Sequence, residues 1–333
     1  MSYTLDHFDY HLPDELIAQT PAVPRDHSRL LVYDREQERI TDDFFYNIDR
    51  YLPENTSLVV NNSKVEKCRL LFNDEKIELF VTKALNSNVV EAMVRPGKKF
   101  KTGKKIQLTE LISAKTLSIA PDGIRTIELS HSLDHACYRP FKHTPFPPYI
   151  QRDESLADQY QTVYAKDEGS KAAPTAGLHF TPELLKRLTT QGFELLEVTL
   201  HVGLGTFAPV KTDNLDEHIM HSEWYSLSSD QAEGLNRAKS ITAVGTTSVR
   251  VLESAVKQNG KFSACSGETD IFITPGYEFK STHHLITNFH LPKSTLLMLI
   301  SAFAGFKQTR DIYQHAIQKK YRFYSFGDAM LIL

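Results

Sequence analysis

The chain is poor in cysteine: Cys68, Cys137 and Cys265 are the only three in 333 residues, and none stands in a Cys-x-x-Cys pair. A scattered, odd set builds neither a disulfide framework nor a thiolate zinc site, so a reducing cytoplasm is the expected location. Long apolar runs are missing as well. The longest, Leu296 to Phe306, is about half of the ~20 residues that a membrane span requires, so no membrane partner is expected. The segment Met1 to Arg25 carries Asp6, Asp9, Asp14 and Glu15 among scattered apolar residues, and so lacks both the cationic and the apolar region of a secretion signal. No internal repeat or low-complexity tract interrupts the chain, which argues against disorder. An excess of positive charge is also absent. Lys and Arg number 38 against 41 Asp and Glu, for a formal net charge of −3, so a polyanionic partner has to be held by a local patch.

What is present has two textures. From residue 68 to 144, alternating runs such as Lys76 to Thr82 and Thr116 to Ala120 are broken by Gly, Pro, Asn and Asp turns, the pattern of half-buried strands. Outside that stretch, strands alternate with helices. Thr181 and Pro182 open a helix that Gly192 closes, and Leu195 to Val202 then reads as a strand. The order recurs at Ile241 to Gly245, an apolar strand, followed by a helix from Thr246 that Gly260 can end. Ser294 to Ala304 and Arg310 to Tyr321 read as two more helices, the first apolar all round and hence a core element. The predicted fold class is α/β. A discontinuous α/β body, residues 1–67 and 145–333, is interrupted by a small all-β, barrel-like insertion at 68–144.

Candidate chemistry clusters at strand ends and helix starts. The period of two puts Val198, Leu200 and Val202 on one face of their strand and Thr199 and His201 on the other, and the chain then enters the loop Gly203 to Phe207. Open α/β sheets hold ligands at such strand ends, although a tight turn beside a core histidine reads equally well. Ala172 to Phe180 places Thr175 and His179 on a loop ahead of the Thr181-capped helix. Gly245 to Arg250 offers a second helix start, with Thr246, Thr247 and Ser248 beside it and Arg250 one turn inside. Either start favours an anion, and plain capping explains the hydroxyls as well. His218, His221 and Glu223 have no His-Glu-x-x-His pattern and no nearby cysteine, so packing is favoured there and no metal site is expected. Asn288 to Pro292 and Tyr324 to Asp328 bring polar groups beside the last helices, as caps or as a site. Between Glu91 and Glu110 no acidic residue occurs, while Arg95, Lys98, Lys99, Lys101, Lys104 and Lys105 crowd together; charge alone favours a solvated face over an RNA contact.

In one order, Asp9 to Gln19, Val60 to Val65, Tyr160 to Ala165, Ala172 to Phe180, Val198 to Phe207, Met220 to Tyr225, Val244 to Arg250, Thr269 to Ile273, Ile286 to Gly305 and Tyr321 to Leu331 match a single family. The chain resembles the tRNA ribosyltransferase-isomerases of queuosine synthesis over nearly its whole length apart from the β insertion. The resemblance implies that S-adenosylmethionine is consumed as a ribosyl donor, with no metal or separate cofactor. Its ribosyl portion is transferred and isomerised onto 7-aminomethyl-7-deazaguanine at the wobble position of tRNA with a GUN anticodon, giving epoxyqueuosine, adenine and methionine. It also implies an α/β body with an inserted β-barrel, and a monomer is expected.

The sulfonium acidifies the neighbouring 5′ methylene, so the chemistry requires a base, and adenine departs most readily toward an acid or hydrogen-bond donor. The expected catalytic residues are His179, His201 and His290, with Asp328 stabilising the sulfonium or the incoming ammonium. The expected substrate contacts are Asn61, Ser63, Thr175, Gly203, Thr206, Thr246, Thr247, Ser248 and Arg250, the last for a carboxylate or phosphate. With tRNA as substrate, Arg95 to Lys105 becomes the expected phosphate contact. The chain departs from the family pattern at Lys64 for Arg, Cys68 for a small apolar residue and Lys171 for Val, and in a missing glycine-rich hairpin after Leu70 that leaves the insertion short. Lys does not replace a bidentate Arg, so no such grip is expected at position 64. Two other readings are an S-adenosylmethionine-dependent methyltransferase, whose glycine-rich first loop the N-terminal region lacks, and a non-catalytic RNA-binding protein that uses the lysines alone.

Overall fold

The computed structural model describes residues 3–203, 212 and 214–333. Its Cα positions divide the chain into two compact units, Met1–Lys64 with Pro147–Leu333, and Val65–Phe146. The architecture is mixed α/β, with several sheets.

In the first unit, nine strands among the described residues form one sheet in the order Cys265–Thr269, Glu223–Leu227, Glu194–Leu200, Thr56–Asn61, Ser240–Val244, His284–Asn288, Ala329–Ile332, Arg29–Asp34 and Arg39–Phe44. The central pairings from Glu194–Leu200 through to His284–Asn288 are parallel, as is that of Ala329–Ile332 with Arg29–Asp34, and the remaining pairings are antiparallel. Alternation along each strand feeds two cores. Val59, Ala243, Leu285, Leu31 and Met330 pack on one face with helices α3 (Thr246–Ala255), α4 (Thr295–Ala304) and α5 (Phe306–Gln318). Leu58, Val60, Val244, Ile286, Leu30 and Leu331 pack on the other with α1 (Pro182–Thr190). Burial on both faces is why these strands read as unbroken apolar runs.

Local chemistry sets most boundaries. The Thr181 hydroxyl accepts the Leu184 N–H at 3.1 Å and so fixes the start of α1, with α2 (Ser229–Arg237) following one strand pair later. Three helices differ from expectation: α2 is not among the predicted elements, α3 ends at Ala255 rather than at Gly260, and the last runs Phe306–Gln318 rather than Arg310 to Tyr321. Gly305, at φ 96°, stops α4 and starts α5 in a single residue, while Lys320 at φ 55° ends the helix so that the Tyr321 N–H returns to the Ala316 carbonyl at 2.8 Å. Among the described residues, no helix is long and apolar enough to cross a membrane.

The second unit is a seven-stranded, all-antiparallel, half-barrel-like sheet in the order Lys142–His143, Arg69–Phe72, Ile77–Ala84, Val89–Arg95, Arg125–Leu129, Ser113–Ile119 and Lys105–Gln107. Leu70, Phe72, Leu79, Val90, Ala92, Phe100, Ile127 and Tyr138 fill it, all buried.

Candidate active site

Where the parallel strands of the first unit end, a cleft opens. Its lining comes from Ala172–Ala176, Val202, Gly245–Thr247, Thr287–Leu291, Ser294, Leu296, Tyr149, Tyr324 and Ser325, none of them an acid, lysine or arginine. Of the expected site residues, Thr175, Thr246, Thr247 and His290 are gathered here. Helix α3 starts on this surface with Gly245 at φ 89° as its cap and no side-chain capping bond, so the hydroxyls are not caps. Ser248 is nevertheless spent: it is buried and donates to the Val244 carbonyl at 2.8 Å. Thr247 Oγ1 is buried without a partner among the described residues. A second, smaller pocket shares Thr246, Thr247 and Leu296 and adds His218, His221, Glu223 and Arg250.

The three expected histidines have three different environments. His179 is buried, with Nδ1 2.7 Å from Ser28 Oγ and Nε2 3.1 Å from Asn288 Nδ2, so both nitrogens are engaged. Burial, with the charges of Arg25 and Arg322 adding to it, pushes its pKa down to about 3. It is therefore a neutral, locked ring rather than an available base. His290 lies on the cleft, with Nε2 2.8 Å from Thr287 Oγ1, and burial brings it down to about 3 as well. His201 is half-buried. Its Nδ1 lies 2.8 Å from Ser63 Oγ, its ring stacks on Trp224 at 5.0 Å, and Gly169 passes behind it.

Several expected contacts are used inside the fold instead. Asn61 is fully buried, gives Nδ2 to the Leu200 carbonyl and takes the Leu200 and Ser63 N–H groups on Oδ1, extending the pairing of two strands with its side chain. Ser63 meets His201 rather than the cleft. Arg250 is buried, paired with Glu223 and bonded to the Thr269 carbonyl, so its guanidinium does not wait for an external carboxylate. Glu223 also takes the Gly203 N–H at 2.7 Å. Asp328 does not line the cleft; it accepts the Arg29 and Arg322 backbone N–H groups at 2.9 and 2.8 Å. Thr206 and the loop around it lie outside the described residues. Lys64 is paired with Glu168 at 2.8 Å.

In the second unit, Lys98, Lys99, Lys101, Lys104 and Lys105 are all exposed, and Arg95 is paired with Glu78 at 3.0 Å. Lys105 stands directly opposite exposed Lys115 across the strand pair, a like-charge juxtaposition. Among the described residues, no group of three or more His, Cys, Asp or Glu is placed to hold a metal ion.

Residue-by-residue reading did not select Ser28, Asn288, Tyr149 or Tyr324 as site groups. Only Asn288 and Tyr324 had a signal, as polar ends of the segments flanking the C-terminal helices. Tyr149 reaches the cleft, and Ser28 the His179 ring behind Asn288, from far along the chain, and neither carries a local mark.

The uncharged cleft at the carboxyl ends of parallel strands gives the chain the layout of an α/β protein, the class in which ligands sit at such strand ends. Over residues 5–332 the chain matches the family model described as queuosine biosynthesis protein. It is 47% identical over 339 residues to S-adenosylmethionine:tRNA ribosyltransferase-isomerase of Desulfitobacterium hafniense, and 47% identical over 340 residues to the protein of that name from Moorella thermoacetica. Both alignments cover 99% of each chain. The crystal structure of S-adenosylmethionine tRNA ribosyltransferase from Thermotoga maritima is similar with a TM-score of 0.57 and 38% identity, covering 98% of this chain and 100% of that one. The chain belongs to the queuosine biosynthesis family, among the S-adenosylmethionine:tRNA ribosyltransferase-isomerases.

Proposed function

We propose that the protein transfers and isomerises the ribosyl moiety of S-adenosylmethionine onto 7-aminomethyl-7-deazaguanine at the wobble position of GUN-anticodon tRNA. Epoxyqueuosine-tRNA forms, and adenine and methionine leave. The observation that carries this reading is full-length identity of 47% to relatives bearing that enzyme name. The donor is consumed as a co-substrate, and no other cofactor enters. The protein works as a cytoplasmic monomer in which the Val65–Phe146 unit is an inserted β domain.

The base that takes the proton beside the sulfonium is His201, which adjoins the cleft-lining Val202 in the chain although its own ring is not among the lining residues. Of the three histidines it is the one not fully buried, and Ser63 on Nδ1 together with the Trp224 face holds its ring in one orientation. Imidazole is also the side chain whose ordinary titration lies nearest neutral pH. His290 acts on the departing adenine as a neutral hydrogen-bonding group in the cleft, alongside Thr175, Thr246 and Thr247. The exposed lysines from Lys98 to Lys105 take the tRNA phosphates.

Incubation with S-adenosylmethionine and tRNA carrying the aminomethyl base is expected to release adenine and methionine and to yield the heavier nucleoside by mass analysis. A methyltransferase would give S-adenosylhomocysteine, and a binding protein would leave the donor intact. His201→Ala is expected to lower adenine release by roughly 10²–10⁴-fold; full activity in that variant would remove His201 from the base role.

A further inference from the structure

Asn288 closes a central strand, lines the cleft and is 2% exposed, yet its amide is only half engaged. Nδ2 lies 3.1 Å from the Tyr324 carbonyl and 3.1 Å from His179 Nε2. A carbonyl only accepts, so the amide nitrogen must face Tyr324. His179 Nε2 then accepts, which leaves Nδ1 to carry the ring proton and donate to Ser28 Oγ at 2.7 Å. That chain of constraints fixes the remaining atom. Asn288 Oδ1 is buried and has no partner among the described residues. A buried acceptor without a donor calls for an explanation, and one on the wall of a cleft is placed to be met by a donor from a ligand.

The surroundings say what kind of donor. No lining side chain is acidic, and His290 is neutral, so an ammonium would meet no counter-charge. Tyr149 and Tyr324, with ring centroids 4.7 Å apart, and Phe289 give the cleft aromatic walls suited to a flat ring. Tyr324 holds φ 70°, a conformation that bulky residues rarely adopt, and so keeps its carbonyl on Asn288. A neutral, planar heterocycle with an exocyclic N–H is the matching ligand. Given the reading that S-adenosylmethionine is the donor substrate, its adenine has that chemistry.

We infer that Asn288 Oδ1 accepts a hydrogen bond from the 6-amino group of the adenine of S-adenosylmethionine, and that His179 with Ser28 is the positioning pair that holds the amide in this orientation. The test compares S-adenosylmethionine with its analogue carrying hydrogen in place of the 6-amino group, by kcat/KM for release of the free base in the presence of substrate tRNA. The wild type is expected to prefer the natural donor by about 10- to 100-fold, and Asn288→Ala to use the two within about threefold of each other. Equal use of both donors by the wild type overturns the inference, as does a preference that survives in folded Asn288→Ala. The wild-type comparison needs no variant and decides the matter even if Asn288→Ala does not fold. A wild type that releases no base from S-adenosylmethionine sinks the proposed reaction itself; one that consumes it without discrimination sinks only the role of Asn288.

Discussion

A Cβ built on Gly169 would lie 2.7 Å from the His201 ring, closer than any real contact allows, and the backbone there stands at φ 145°. Gly169→Ala therefore has to move the imidazole off Trp224 and away from Ser63. A displacement near 1 Å at a reacting group costs on the order of 10²-fold in rate, so kcat for adenine release is expected to fall by about that factor. Gly192→Ala is the control, since Gly192 also has a positive φ of 95° but nothing within 4 Å of its Cβ. It should cost stability of about 1 kcal/mol and leave kcat alone. Unchanged kcat in Gly169→Ala would mean that the ring position does not matter to the reaction. At this scale the sequence was only partly legible. The strand period correctly separates His201 from Val198, Leu200 and Val202, because alternation is a local property. It does not reveal that Asn61 imitates a backbone group or that Arg250 is paired with Glu223, since both depend on partners far along the chain.

Elements were legible where their signals are local. Helix α1 follows from Thr181, Pro182 and Gly192, whereas the start of α5 is hidden because Gly305 ends one helix and begins the next. The basic stretch between the strands Val89–Arg95 and Ser113–Ile119 was visible as charge, but the availability of each cation was not. Arg95 is held by Glu78, while Lys105 faces Lys115. Replacing Lys98, Lys99, Lys101, Lys104 and Lys105 by Gln should flatten the plot of log tRNA affinity against log salt by roughly 0.7–0.9 for each phosphate that is no longer neutralised. Arg95→Gln should change that slope less than any one of the exposed lysines does. Filter-binding titrations from low to moderate salt read this directly, and identical slopes for the quintuple variant and the parent would reduce the patch to a solvated face.

At the scale of the whole molecule, the sheet of the first unit is covered on both faces, and that burial encloses histidines that the sequence shows only as residues of ordinary titration. His179 and His290 are pushed down to about 3 and His284 to about 4, in each case chiefly by burial. Their folded pKa values lie below the unfolded value of 6.5, so as pH falls the unfolded chain takes up protons first. Stability from these groups is complete above about pH 6.5 and is lost steadily toward pH 3–4, by at most about 1.4 kcal/mol per pH unit for each histidine. Carboxylates held below their ordinary 3.8, such as Asp42 and Asp43, lose their contribution only at lower pH. The window from pH 6.5 to 4.5 therefore isolates the histidines. Trp224, the only tryptophan, sits in the first unit, so the midpoint of its fluorescence change in urea reports on that unit. The midpoint is expected to be level from pH 8 to 6.5 and to drop at each step below, and His179→Gln should lessen the slope by about one proton. A midpoint independent of pH across that window would show that these rings are not held neutral by the fold, and the locked orientation of Asn288 would lose its support with them.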